Sequence, residues 1–212
     1  METPEGVGRL RLVGGNLALD FVNTRGGQAR PSVDDEVLHD YNDLVAWARH
    51  VGMLTEAEAR RLLRRAGRNP DDARHTYQRA VRLRGDLYEL FRAVAAGRPP
   101  PGRCLAALRG DEAEALARAE LVRSDGGFAW SWANDDELAR PLRPVAHAAV
   151  VLLTAGGPQR GNPLQRIKRC DGCQWFFIDE TKNRSRRWCA MEDCGTAEKV
   201  RRYVARRAAA RR

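Results

Sequence analysis

Apolar residues recur at helical spacing through most of the first 155 positions. Leu44, Val45, Trp47, Ala48 and Val51 lie on one face of a segment from Leu38 to Val51, which predicts a helix that Gly52 ends. Thr55 and Glu58 have the spacing of a capping box, in which each side chain satisfies the other's free amide, so a second helix is predicted to about Ala66. Asn69-Pro70 opens a third, and Val81, Leu83, Leu87, Leu90, Phe91 and Val94 carry its apolar face to Gly97. The break from Arg98 to Gly102 precedes an Ala- and Leu-rich helical stretch, Cys104 to Ala119. A last, largely buried helix is expected from Leu142 to Thr154.

Strand-like alternation is scarcer. Arg9 to Val13 alternates basic and apolar residues before Gly14-Gly15 and predicts a short strand. Leu17 to Thr24 is apolar enough to be strand or helix, with Asp20 and Asn23 as polar exceptions that cap a helix, close a turn or line a pocket. Two alternating runs around Asp125-Gly126-Gly127, between Leu121 and Trp132, predict a β-hairpin. The stretch Gly156 to Pro163 carries the signals of a flexible linker, and the composition changes beyond it. Two domains are therefore expected, a mostly helical one at 1–160 that contains the hairpin, and a small second one at 161–212.

Length fits that division, since 212 residues exceed a single small module. With 43% hydrophobic and 31% charged residues, the composition is that of a folded globular protein. The longest apolar run, Ala146 to Ala155, is far shorter than the roughly 20 residues of a membrane span. The acidic opening Met1 to Glu5 lacks the basic and apolar regions of a signal peptide, so a cytoplasmic, reducing location is expected.

Charge separates the two parts. Residues 166–212 hold 14 Lys and Arg against six acids, a net +8 of the chain's +9. Such asymmetry points to a polyanion such as nucleic acid, with a merely solvated basic tail as the alternative.

Four of the five cysteines lie in the same region, as Cys170-x-x-Cys173, a gap of 15 residues, then Cys189 and Cys194. A close-set pair bends the chain so that two thiolates face one ion, and two such pairs have the spacing of a structural zinc site. A module of this size buries too little apolar surface to fold alone, whereas zinc supplies about 10–16 kcal/mol. A reducing compartment disfavours disulfides, and four clustered thiols are too many for a redox pair. One structural Zn2+ on Cys170, Cys173, Cys189 and Cys194 is expected, with no open coordination position for catalysis. Cys104 reads as a small buried hydrophobe, and the scattered His39, His50, His75 and His147 receive no metal role.

Between the cysteine pairs, Trp175 to Asp179 and Arg186 to Trp188 predict two strands joined through Glu180 to Ser185. From Thr196 onward a helix is predicted whose stripe Val200, Tyr203 and Val204 packs inward while Lys199, Arg202 and Arg206 share another face. Lys182, Arg184, Arg186 and Arg187 join them as candidate nucleic-acid contacts, suited to a phosphate backbone. Trp175, Phe176, Phe177 and Trp188 read first as the module's core and second as stacking platforms for bases.

The segment Arg169 to Gly195, RCDGCQWFFIDETKNRSRRWCAMEDCG, resembles the bacterial CGNR-type zinc finger proteins, and Leu17 to Thr24 is similar to the opening of the ABATE-like domain that precedes this finger in them. The resemblance implies a helical first domain, a carboxy-terminal zinc finger and a role in stress-induced transcriptional regulation through DNA. One departure stands out: where the family carries Cys-Gly-Asn-Arg, this chain has Cys194-Gly195-Thr196-Ala197.

The fold class expected is thus mainly α with a small β component, ending in a four-cysteine zinc finger of β-hairpin and helix. The function expected is a DNA-binding regulator, with a homodimer and a small-molecule effector at the first domain as open options. RNA or ribosome binding and a protein-interaction module remain the alternatives. Catalytic fingerprints are absent: Gly156 and Gly161 imitate a phosphate-binding loop, but Asn162-Pro163 replaces its Lys and Ser/Thr. No enzyme activity is expected.

Overall fold

The structure, a computed structural model, describes residues 5–26, 36–132, 134–156 and 162–209. Among these residues, eight helices and four strands follow one another as α1 (Glu5–Gly8), α2 (Leu17–Val22), α3 (Tyr41–His50), α4 (Glu56–Arg68), α5 (Pro70–Ala95), α6 (Gly102–Leu116), β1 (Ala119–Ser124), β2 (Gly127–Trp132), α7 (Arg143–Thr154), β3 (Ile167–Arg169), β4 (Phe176–Ile178) and α8 (Thr196–Ala209). The mainly helical class with small antiparallel sheets is as the sequence predicts.

Local signals act where the sequence places them. Asp40 caps α3 by accepting from the amides of Asn42 and Asp43, and Gly52 leaves the helix at a φ of +78°. Both halves of the Thr55–Glu58 capping box form, and α4 then runs two residues past the expected Ala66. Pro70 starts α5 without needing an amide partner. The hairpin pairs Leu121 with Trp130 and Arg123 with Phe128 across a turn at Asp125-Gly126.

The core forms where the apolar faces of α2, α3, α4, α5 and α7 converge. Trp47 and Phe21 are fully buried with ring centroids 4.9 Å apart, beside Leu44, Leu62, Leu87, Leu90 and Phe91. In α7 Val145, Ala146, Ala149 and Leu152 are buried and only Val151 and Thr154 are exposed, so this helix is largely buried as the sequence predicts. Arg84 lies in the core wall at 4% exposure, its guanidinium forked onto both carboxylate oxygens of Glu36 and donating to Thr24 Oγ1.

Two expectations are corrected and one open reading is resolved. Arg9 to Val13 is not a strand; it is an extended approach whose next residue, Gly14, accepts a hydrogen bond from the Ile178 amide. The ambiguous Leu17–Thr24 is helical through Val22, because the Asn16 side chain caps it on the Ala18 amide. The stripe Val200, Tyr203 and Val204 does not pack inward: each is more than half exposed, since α8 leaves the finger from the turn at Met191–Gly195 and packs mainly against that turn. Most of the expected linker, residues 157–161, lies outside the described residues.

The second part is not suspended from the first. Ile167 of β3 and Phe176 of β4 are buried in the same core as the helices, Phe176 meeting Tyr88 at 5.7 Å and Phe91 at 6.3 Å between centroids. Arg11 reaches from the amino-terminal segment to Glu192 at 2.6 Å and to Asp193.

Candidate metal centre and cationic surface

Cys170 and Cys173 occupy the turn that joins β3 to β4. The turn is closed by the Gln174 amide on the Cys170 carbonyl at 3.0 Å and by the Cys170 amide on the Trp175 carbonyl at 2.8 Å. Gln174 sits at a φ of +69°, a left-handed value uncommon for a residue with a side chain. At Gly172 an added Cβ would stand 3.0 Å from Cys194 Cβ and 3.3 Å from its sulfur, so glycine lets the two cysteine segments approach this closely without a shift. Cys189 arrives on the loop after β4, and Cys194 lies in the turn just before α8.

All four sulfurs lie within 4.8 Å of one another, with Cys173–Cys189 at 3.5 Å and Cys189–Cys194 at 3.8 Å. A tetrahedron of thiolates about 2.3 Å from zinc has edges of about 3.8 Å. A disulfide needs sulfurs about 2.05 Å apart, and all five cysteines are free. The crowded thiols act on one another: hydrogen bonds from Cys173 and Cys189 pull the Cys170 thiol down, while the hydrogen bond to Cys170, with its charge, pushes Cys189 up to about 12. Four sulfurs at this spacing can all be thiolates only around a cation, and a divalent one answers the donor set, so the residues fit one structural Zn2+ with no ligand position left over. Among the described residues no other cluster of His, Cys, Asp or Glu has metal-site spacing. Cys104 is fully buried 3.3 Å from Asp86 Oδ1, and burial raises its thiol.

The strand pairing differs from expectation. β4 pairs with β3, Ile167 opposite Ile178 and Arg169 opposite Phe176, while 186–188 forms no strand. The cysteine turn itself reverses the chain, so the segment before it is the nearest partner, and 180–188 is held by side chains instead. Asp179, fully buried, organises that loop: it accepts from Lys168 Nζ at 2.8 Å, from the hydroxyl and amide of Thr181, and from the Arg186 amide at 2.9 Å. Burial alone would raise its carboxyl, but these four donors hold it well below the ordinary carboxylate range.

The candidate nucleic-acid residues separate into two groups. Arg186 is committed inside the finger, its guanidinium donating to the carbonyls of Trp188 and Cys189 and lying 4.9 Å from the Phe177 ring centroid. Arg187 is exposed, bonded to Asp171 at 2.8 Å and stacked over Trp188. Arg184 is exposed and donates to Gln165, and Arg202 pairs loosely with Glu198 at 3.5 Å. Lys182, Lys199 and Arg206 are exposed with no acidic partner among the described residues. Of the aromatics, Phe176 serves the helical core and Phe177 the cysteine cluster, with Trp175 and Trp188 partly buried beside it.

Asn23 and Asp20 have roles beyond the local ones that the sequence suggests. The Asn23 side chain donates to the Phe176 carbonyl at 2.8 Å and accepts from the Phe176 amide at 2.9 Å, mimicking a neighbouring strand along β4. Asp20 Oδ1 accepts from the Gly14 amide at 2.8 Å and thereby fixes the segment that bonds Ile178. The signal for both was their polarity inside an apolar run.

Two family models match the chain. Residues 15–156 match ABATE, described as a putative stress-induced transcription regulator, and residues 166–207 match the CGNR zinc finger. No curated protein matches it.

Proposed function

The chain belongs to the ABATE family, and on that premise we propose that it is a transcriptional regulator whose zinc finger binds duplex DNA. The carrying observation is the exposure of Lys182, Arg184 and Arg187 on a loop that the four cysteines and Asp179 fix, and of Lys199, Arg202 and Arg206 on the helix that leaves the fourth cysteine. Cations on a loop already held in place suit a phosphate backbone, because little conformational freedom is left to lose on binding. Arg186 acts from behind this surface by bracing the loop that carries its neighbours. The Asn-Arg of the family motif is replaced by Thr196-Ala197 at the start of α8, so backbone contact falls to the loop and the later turns of the helix. The protein acts by binding, not catalysis, in the cytoplasm at the nucleoid.

Selection of genomic fragments by the zinc-loaded protein at near-physiological salt, with total RNA as competitor, tests this. Reproducible enrichment of a few short duplex sites that RNA does not displace is expected. Retention of RNA alone, or of no nucleic acid, overturns it.

A further inference from the structure

A cavity of about 830 Å3 opens where the helical domain meets the cysteine turn. That volume lies within the range of small-ligand sites. One wall is α5 and the end of α2; the other is Arg169 and the run Cys173 to Trp175. Its charges do not balance. Five arginines (Arg25, Arg82, Arg84, Arg103 and Arg169) face two acids, Asp86 and Glu89. Arg84 is taken by Glu36, Arg103 holds Asp86 at 3.2 Å, and Glu89 is held from outside by Arg92 at 2.6 Å. Arg25 and Arg82, at the exposed mouth, and the half-buried Arg169, which lies 5.9 Å from the Phe176 ring centroid, then have no carboxylate among the described residues. Two buried donors also go unused on this wall, Arg169 Nε and the Trp175 indole Nε1. Buried donors without acceptors are uncommon in folded proteins and mark places where a ligand or ordered water belongs. Val22, Val81, Tyr88 and Trp175 add apolar and aromatic surface, beside the polar Gln174.

We propose that this cavity binds a small organic anion, an aromatic body carrying a carboxylate or phosphate, gripped by Arg25, Arg82 and Arg169. Guanidinium forks pair bidentately with either anion. Because the site is built from both parts of the chain, the ligand also clamps the cysteine turn against α5. The site does not depend on nucleic-acid binding.

Gly85 supplies the decisive variant. It lies on the cavity wall within α5, and a Cβ added there meets nothing within 4 Å. Gly85→Leu therefore fills the cavity while favouring the helix, so its melting temperature should be unchanged or raised. Calorimetric titration of the zinc-loaded full chain with salicylate and, separately, AMP should show one site per chain for at least one of them, and none for inorganic phosphate alone. Binding of salicylate only identifies an organic carboxylate, and binding of AMP only an organic phosphate. Gly85→Leu and Arg82→Ala should each weaken that binding by about tenfold or more. Bound probe should also slow zinc loss to a chelator in the parent protein and not in Gly85→Leu. Absence of binding by both probes at millimolar concentration overturns the proposal, as does unchanged affinity in both variants.

Discussion

Asn23→Ala separates the finger from the helices by removing one side chain. Asn23 is 1% exposed, and its amide makes both hydrogen bonds available on the outer edge of Phe176, at 2.8 and 2.9 Å. Alanine leaves one backbone N–H and one C=O buried without partners. At about 1–3 kcal/mol for each orphaned group, the loss is about 2–6 kcal/mol, a large share of the roughly 5–15 kcal/mol that holds a domain folded. Because Phe176 also packs on Tyr88 and Phe91, the docked position of β4 and the zinc knuckle should loosen together. Urea unfolding followed by far-UV circular dichroism gives the stability change, and zinc transfer to a colorimetric chelator reports the knuckle. The variant should unfold at lower urea and release zinc faster. A change under about 0.5 kcal/mol, the size of an ordinary surface substitution, with zinc release unaltered would refute this role.

Other substitutions follow from the same contacts. Cys173→Ser should abolish the single zinc per chain and remove the β3–β4 pair, read by metal analysis and amide exchange; full zinc retention would contradict the four-cysteine assignment. In Gly14→Ala the new Cβ would lie 2.8 Å from Leu19 Cβ and 2.9 Å from both Asp20 N and Oδ1, a clash expected to cost about 1–3 kcal/mol in a urea titration. Glu58 is desolvated, which raises its carboxyl, yet hydrogen bonds from Arg140 and Thr55 outweigh that and bring its pKa down to about 2. Its stabilisation is therefore complete above the unfolded value of about 4.3 and is lost as pH falls toward 2. Glu58→Gln should cost about 2–4 kcal/mol at neutral pH by leaving the buried Arg140 without its carboxylate, and the gap to the parent protein should close on acidification.

Much of the helical part was legible because its determinants are local. Capping residues, Pro70 and Gly52 act within a turn of where they stand, and the apolar period of α3 to α5 needs no partner to be read. The zinc ligands were legible for the same reason, since spacing along the chain encodes their chemistry. What the sequence hid is long-range and polar. Asn23 and Phe176 are 153 residues apart, and a side-chain amide that completes a strand leaves no periodicity behind. Asp179 looked like the end of a strand but anchors the loop that follows, so the hydrogen bonds of 180–186 run to a carboxylate instead of to a paired strand. The stripe on α8 has the spacing of a packed face, and spacing alone does not say whether anything is there to cover it.

The salt dependence of duplex DNA binding bears most directly on the finger as a phosphate-tracking surface. For the parent protein the logarithm of affinity should fall linearly with the logarithm of salt concentration, and the joint substitution of Lys182, Arg184 and Arg187 by Ala should make that slope shallower by up to about three. The triple variant should keep its zinc, since none of the three is a ligand and all four cysteines remain. An unchanged slope and affinity in a zinc-loaded variant would contradict the assignment.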